Sequence, residues 1–185
     1  MNKICIFCGS SVGNTPDYAA AGEKLSRTLV SRGTEIVYGG GKNGLMGVIA
    51  DTALGLGGRV VGVIPKNLVD REVAHAGLSR LYVTQSMHER KQKMAELSDA
   101  FLVLPGGFGT LEELAEVLSW AQIGLHAKPC GFLNVGGYFD HLFAFFDEMV
   151  RKGFLRPASR ELPIVDSDIE GLLDQLSAHG RTGRQ

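Results

Sequence analysis

The sequence predicts an α/β fold, a Rossmann-like doubly wound parallel sheet with helices on both faces. Three observations predict it. Short runs of Ile, Val, Leu and Phe are apolar throughout rather than alternating, as in strands buried on both faces. Longer segments with helical spacing separate these runs, which is the rhythm of β-α-β units. Three of the strand ends carry clustered glycines, at the edge where such sheets bind ligands.

In chain order the strand runs are Lys3–Cys8, Glu35–Tyr38, Arg59–Ile64, Leu81–Thr84, Ala100–Leu104 and Gly131–Val135. Tyr18–Arg32 follows the first as a helix, with Ala21, Leu25, Thr28 and Leu29 on one stripe. Leu45–Leu56 follows a glycine-rich turn, and Met87–Leu97, Leu111–Leu125 and Tyr138–Lys152 fill the later gaps. A short helix near Ile169–Leu176 ends the pattern. With 185 residues and 44% hydrophobic content, residues 1–178 suit one nucleotide-binding domain with a sizeable core. Residues 179–185 are polar, carry glycine and are expected to form a flexible tail.

Composition excludes several classes. Nineteen basic and twenty acidic side chains leave a net charge of −1, so a nucleic-acid partner is not expected. The N-terminus is apolar for too few residues to be a signal peptide, and no apolar run approaches the ~18 residues of a membrane span. A cytoplasmic protein without membrane contact is expected. Three cysteines, an odd number, fit no secreted disulfide framework. Cys5 and Cys8 form a literal C-x-x-C, but positions three apart on a strand face opposite ways. Cys5 reads as a core residue and Cys8 as the end of a strand. The five histidines make no zinc motif and no G-x-S-x-G elbow occurs, so neither a metal nor a serine nucleophile is expected.

The glycine turns carry the chemistry. Cys8-Gly9-Ser10-Ser11 ends the first strand, Gly39-Gly40-Gly41-Lys42-Asn43-Gly44 the second, and Pro105-Gly106-Gly107-Phe108-Gly109-Thr110 the fifth. Glycine lets backbone N–H groups approach a phosphate at a helix N-terminus, so three such turns on one edge fit a phosphorylated ligand. Gly39, Gly41 and Gly44 satisfy G-x-G-x-x-G, yet the next strand ends Val63-Ile64-Pro65-Lys66 without the carboxylate a dinucleotide fold requires. Lys42 is not followed by Ser or Thr, so the phosphate-loop pattern of nucleotide hydrolases fails as well. A tight strand-to-helix turn is the alternative for this segment; for Gly9 and Ser10 the expected role is contact with the base or ribose.

Pro105-Gly106-Gly107-Phe108-Gly109-Thr110-Leu111-Glu112-Glu113 is more specific. Thr110 is expected to open a helix, and Thr110 with Glu113 fits a capping box. That alone does not explain three glycines and two adjacent carboxylates at the mouth of a sheet. Ser86-Met87-His88-Glu89-Arg90-Lys91 begins another helix with a second capping box, Ser86 to Glu89. Arg90 and Lys91 fall in its first turn, where the helix dipole disfavours cations and a bound anion would account for them. A solvated face with Glu89 and Lys93 paired is the alternative.

Phe7-Cys8-Gly9-Ser10-Ser11, Gly39–Gly47, Met87–Lys91 and Pro105–Glu113, in this order, together resemble the Lonely Guy family. These are cytokinin riboside 5′-monophosphate phosphoribohydrolases, historically labelled lysine decarboxylases. The resemblance runs from about Lys3 to Lys152. It implies cleavage of the N-glycosidic bond of N6-modified AMP, or AMP itself, to free base and ribose 5-phosphate, without cofactor or metal. It implies a homodimer with sites near the subunit contact. It also implies Arg90 and Glu113 as the catalytic pair, with Glu72, Met87, Lys91, Gly106, Gly107, Gly109, Thr110 and Glu112 lining the nucleotide site and Ser119 a weaker member. Rival readings are a non-catalytic nucleotide carrier or sensor, a single-strand DNA-binding Rossmann protein, which should carry a basic stripe, and a pyridoxal-dependent decarboxylase, for which Lys42, Lys66 and Lys128 lack a recognisable setting.

Overall fold

The computed structural model describes residues 1–69 and 74–182. Among these the chain forms one seven-stranded sheet from β1 (Lys3–Phe7), β2 (Glu35–Tyr38), β3 (Val60–Pro65), β4 (Arg80–Thr84), β5 (Ala100–Val103), β6 (Cys130–Leu133) and β7 (Pro163–Asp166). The order is β4-β3-β2-β1-β5-β6-β7 and every pairing is parallel. Six strands lie where the apolar runs place them. β7 was not expected: it has four residues, opens on a proline and lies on the sheet edge, where a missing N–H donor is tolerated.

Among the described residues seven α-helices connect or flank the strands: α1 (Pro16–Ser31), α2 (Gly44–Gly55), α3 (Met87–Glu96), α4 (Phe108–Gln122), α5 (Asp140–Arg151), the single-turn α6 (Pro157–Arg160) and α7 (Ile169–Thr182). α1 starts where Thr15 Oγ1 accepts the Asp17 N–H and Pro16 takes the first helical position. Alternation along β1 sends Ile4, Ile6 and Cys8 to the side of α1, α2 and α7, and Cys5 and Phe7 to the side of α3, α4 and α5. On the first side Leu25 and Leu29 of α1 meet Leu172, Leu173 and Leu176 of α7; each such fully buried leucine stabilises the fold by about 1.5–3 kcal/mol. α7 runs to Thr182, past the His179 at which a flexible tail is expected to begin.

The two cysteines of the C-x-x-C therefore sit in different cores. Burial pushes the Cys130 thiol up to about 12; burial, and then the negative charge of Glu113, raise those of Cys5 and Cys8. All three stay protonated at neutral pH, the behaviour of packing residues rather than of a redox pair.

β1 is the switch point. α1 leads from β1 to β2 on one flank, whereas β5, on the other flank, is reached from β4 through α3. The connections diverge there and open a crevice at the carboxyl ends of the central strands.

Candidate active site

The three glycine turns meet in this crevice and are bonded to one another. Gly9 N–H donates to the Pro105 carbonyl (3.0 Å), and Leu45 N–H at the start of α2 donates to the Gly9 carbonyl (3.1 Å). Gly106 permits the approach of the first and third turns: a Cβ there would lie 2.1 Å from Thr110 Oγ1 and 2.8 Å from the Gly9 nitrogen. From outside, the Tyr138 hydroxyl donates to the Gly106 carbonyl (2.6 Å) and holds the loop down.

α4 begins at Phe108, with Gly107 as its N-cap and, among the described residues, no side chain capping it. Thr110 therefore does not open the helix as expected. It lies inside the first turn, buried, and the Thr110–Glu113 capping box does not form. Two glycines ahead of the helix allow it to start earlier than the hydroxyl signal indicated. The first N–H groups of a helix have no intrahelical acceptor, so an uncapped start facing a crevice is a natural phosphate seat.

α3 is capped as expected by Ser86 Oγ, which accepts the Glu89 N–H (3.1 Å), while the Glu89 carboxylate accepts the Gln85 N–H (2.7 Å). Glu89 is thus used by the cap, and Lys93 pairs with Glu96 instead (3.5 Å). Arg90 turns inward, 5% exposed. Its Nε donates to the Val63 carbonyl (3.0 Å) and its Nη2 to the Gly39 carbonyl (3.3 Å). The same Nη2 lies 3.7 Å from Glu113 Oε1. A buried guanidinium held by the ends of β2 and β3 thus faces a largely buried carboxylate from the first turns of α4.

Between them is a cleft of about 210 Å³. Of the residues the sequence nominates, Gly9, Ser10, Gly39 and Arg90 line it from one side and Gly107, Gly109, Thr110 and Glu113 from the other. Phe108, within the nominated loop, lines it too, and Ile6, Cys8 and Met46 complete the wall without having been singled out as ligand contacts. Phe108 occupies the variable position of the P-G-G-x-G-T motif and its ring is 91% exposed at the cleft. Gly106 lines an adjoining cleft of about 280 Å³ that shares Gly9, Ser10 and Gly107 with the first and is walled by Tyr18 and Tyr138.

Other nominated residues are placed elsewhere. Gly41 faces the interior, where its carbonyl accepts the Tyr38 hydroxyl (3.0 Å). Met87 lies on the outer side of Arg90, its Sδ 3.4 Å from Nη1. Lys91 and Glu112 do not line the cleft but bond to one another. Burial opposes the charge of Lys91, yet the hydrogen bonds it donates to Glu112 and Glu116 outweigh this and hold the ammonium pKa above the ordinary lysine value. Ser119 is exposed on α4, and Glu72 lies outside the described residues.

Comparison with known proteins bears on this site. A family described as "Possible lysine decarboxylase" matches residues 46–176. A probable cytokinin riboside 5′-monophosphate phosphoribohydrolase of Oryza sativa subsp. japonica is 48% identical over 177 residues, 96% of this chain and 78% of its own length. A cytokinin riboside 5′-monophosphate phosphoribohydrolase of Arabidopsis thaliana is 47% identical over 174 residues, 94% of this chain and 82% of its own. Among solved structures, the molybdenum cofactor carrier protein of Chlamydomonas reinhardtii shares the fold, with a TM-score of 0.73 and 19% identity over 98% of both chains.

Proposed function

The chain belongs to the family of cytokinin riboside 5′-monophosphate phosphoribohydrolases, and from that premise we propose that it hydrolyses the N-glycosidic bond of N6-modified AMP, and of AMP itself, releasing free base and ribose 5-phosphate. The observation that carries the reading is the buried Arg90 guanidinium opposite the Glu113 carboxylate, beside the uncapped start of α4. Cleavage of a ribosyl–purine bond passes through an oxocarbenium-like transition state. Glu113 supplies the negative charge that stabilises it and can orient the attacking water. The N–H groups of Phe108, Gly109 and Thr110 take the 5′-phosphate, and Arg90 favours departure of the purine by hydrogen bonding.

A Schiff-base decarboxylation requires a neutral lysine at the site. Lys91 is held as an ammonium by two carboxylates, and Lys128, whose pKa burial lowers, donates to the Ala95 carbonyl at the end of α3, away from the cleft. The expected result with purified protein is free base and ribose 5-phosphate from both AMP and N6-isopentenyl-AMP. Cleavage of the riboside but not of its monophosphate, or of neither, would overturn the reading.

A homodimer in the cytoplasm belongs to the same proposal. Buried reduced thiols suit that compartment. α4 leaves Phe108 and Leu111 exposed on its outer face with Ser119, and Ile123 and Leu125 follow its end at 67% and 68% exposure. A second copy covering this surface would bring its Ser119 face close to the cleft mouth. Sedimentation should give a dimer at micromolar concentration, shifted toward monomer by Leu125→Glu. A monomeric wild type would exclude this assembly.

A further inference from the structure

Each charged residue of the cleft has a charged neighbour in sequence that points away from it. Lys91 follows Arg90, and Glu112 precedes Glu113. On the far side of the α3–α4 contact, Lys91 Nζ bonds Glu112 Oε1 and lies 3.0 Å from Glu116 Oε1, one helical turn further along α4. The Lys91 side chain is 7% exposed and that of Glu116 21%, against 56% for Glu112. Glu116 Oε2 is buried and has no hydrogen-bond partner among the described residues.

A buried ion pair is a weak device for stability, because desolvation offsets much of its attraction; in some proteins such a pair instead selects one arrangement. Its bond to Glu112 is more exposed and screened, so Glu116 is the stronger anchor. With its second oxygen buried, Glu116 finds compensation for its charge in Lys91. The pair joins the start of α3, next to Arg90, to the middle of α4, about one turn beyond Glu113.

We infer that Lys91 and Glu116 are positioning residues that fix the separation of Arg90 and Glu113, rather than ligands of the nucleotide. This rests on the phosphoribohydrolase reading. Neither side chain needs to touch substrate. If the pair is broken, α3 and α4 slide relative to one another and the reacting groups lose their alignment, and displacements of about 1 Å are enough to cost up to about 10²-fold in rate.

The test is steady-state kinetics on AMP with wild type, Glu116→Gln, Lys91→Met, Lys91→Arg and the Lys91→Met/Glu116→Gln double variant. Glu116→Gln is expected to lower kcat about tenfold while KM stays within about twofold. Lys91→Met should do the same or more, Lys91→Arg should recover part of the loss, and the double variant should be no worse than Lys91→Met alone. A raised KM in Lys91→Met with unchanged kinetics in Glu116→Gln would make Lys91 a phosphate ligand and overturn the inference. Losses that multiply in the double variant would overturn it as well. If Lys91→Met fails to fold, Glu116→Gln and Lys91→Arg still decide. Absence of turnover in the wild type would instead sink the function reading and take the positioning role with it.

Discussion

Glu113→Gln is expected to lower kcat by about 10²-fold or more while the protein remains folded. The substitution keeps shape and hydrogen-bonding capacity and removes only the charge. The ground-state nucleotide gains little from a carboxylate near the ribose, but the oxocarbenium-like transition state gains a great deal. The loss should therefore appear in kcat and kcat/KM equally, with KM little changed. Arg90 loses its counter-ion in this variant but keeps the Val63 and Gly39 carbonyls, so it should stay in place. Near-wild-type turnover with an unchanged circular dichroism spectrum would remove Glu113 from the mechanism.

Gly39→Ala should be nearly as damaging, although Gly39 is itself neither acid nor base. A Cβ at this position would lie 2.3 Å from Arg90 Nη2 and 3.2 Å from Met46 Sδ. The backbone of Gly39 lies outside the left-handed region, so alanine is tolerated locally and the clash must be relieved by Arg90. The guanidinium then leaves the Gly39 carbonyl and moves relative to Glu113. A loss of about 10²-fold is expected, similar to that of Arg90→Ala, and the Gly39→Ala/Arg90→Ala double variant should be no slower than either alone. Full activity in Gly39→Ala, checked against a melting curve, would show that the observed position of Arg90 is not needed.

These predictions separate what could be read from the chain from what could not. Fully apolar strand runs and glycine-ended turns are local signals, and they identified six strands, the crevice and part of its rim. Orientation around a helix is not local in the same way. Successive residues point about 100° apart, so of Glu112 and Glu113 only one can face a given cleft, and the helix start determines which. The hydroxyl of Thr110 marked the start of α4 three residues late, because a glycine cap leaves no side-chain signature. The same geometry sends Arg90 into the cleft and Lys91 behind it. Glu116 went unnoticed because one more acidic residue on a helix has no meaning until its partner on another helix is known. β7 escaped because an edge strand needs too few apolar residues to stand out.

The strand order has a consequence for how the chain acquires its active form. β1 is made first, yet its partner on one side is β5, with Ile4 beside Ala100 and Phe7 beside Val103. Until the ribosome has passed that point, β1 through β4 can assemble only as a half-sheet whose apolar β1 edge is open to the wrong neighbour. Closing so long a loop is the slow, entropically costly step of such a topology. It is also the step that brings Pro105 to Gly9 and the start of α4 to Arg90. Catalytic competence should therefore be all-or-none in refolding, returning in the same kinetic phase in which the centre of the sheet closes.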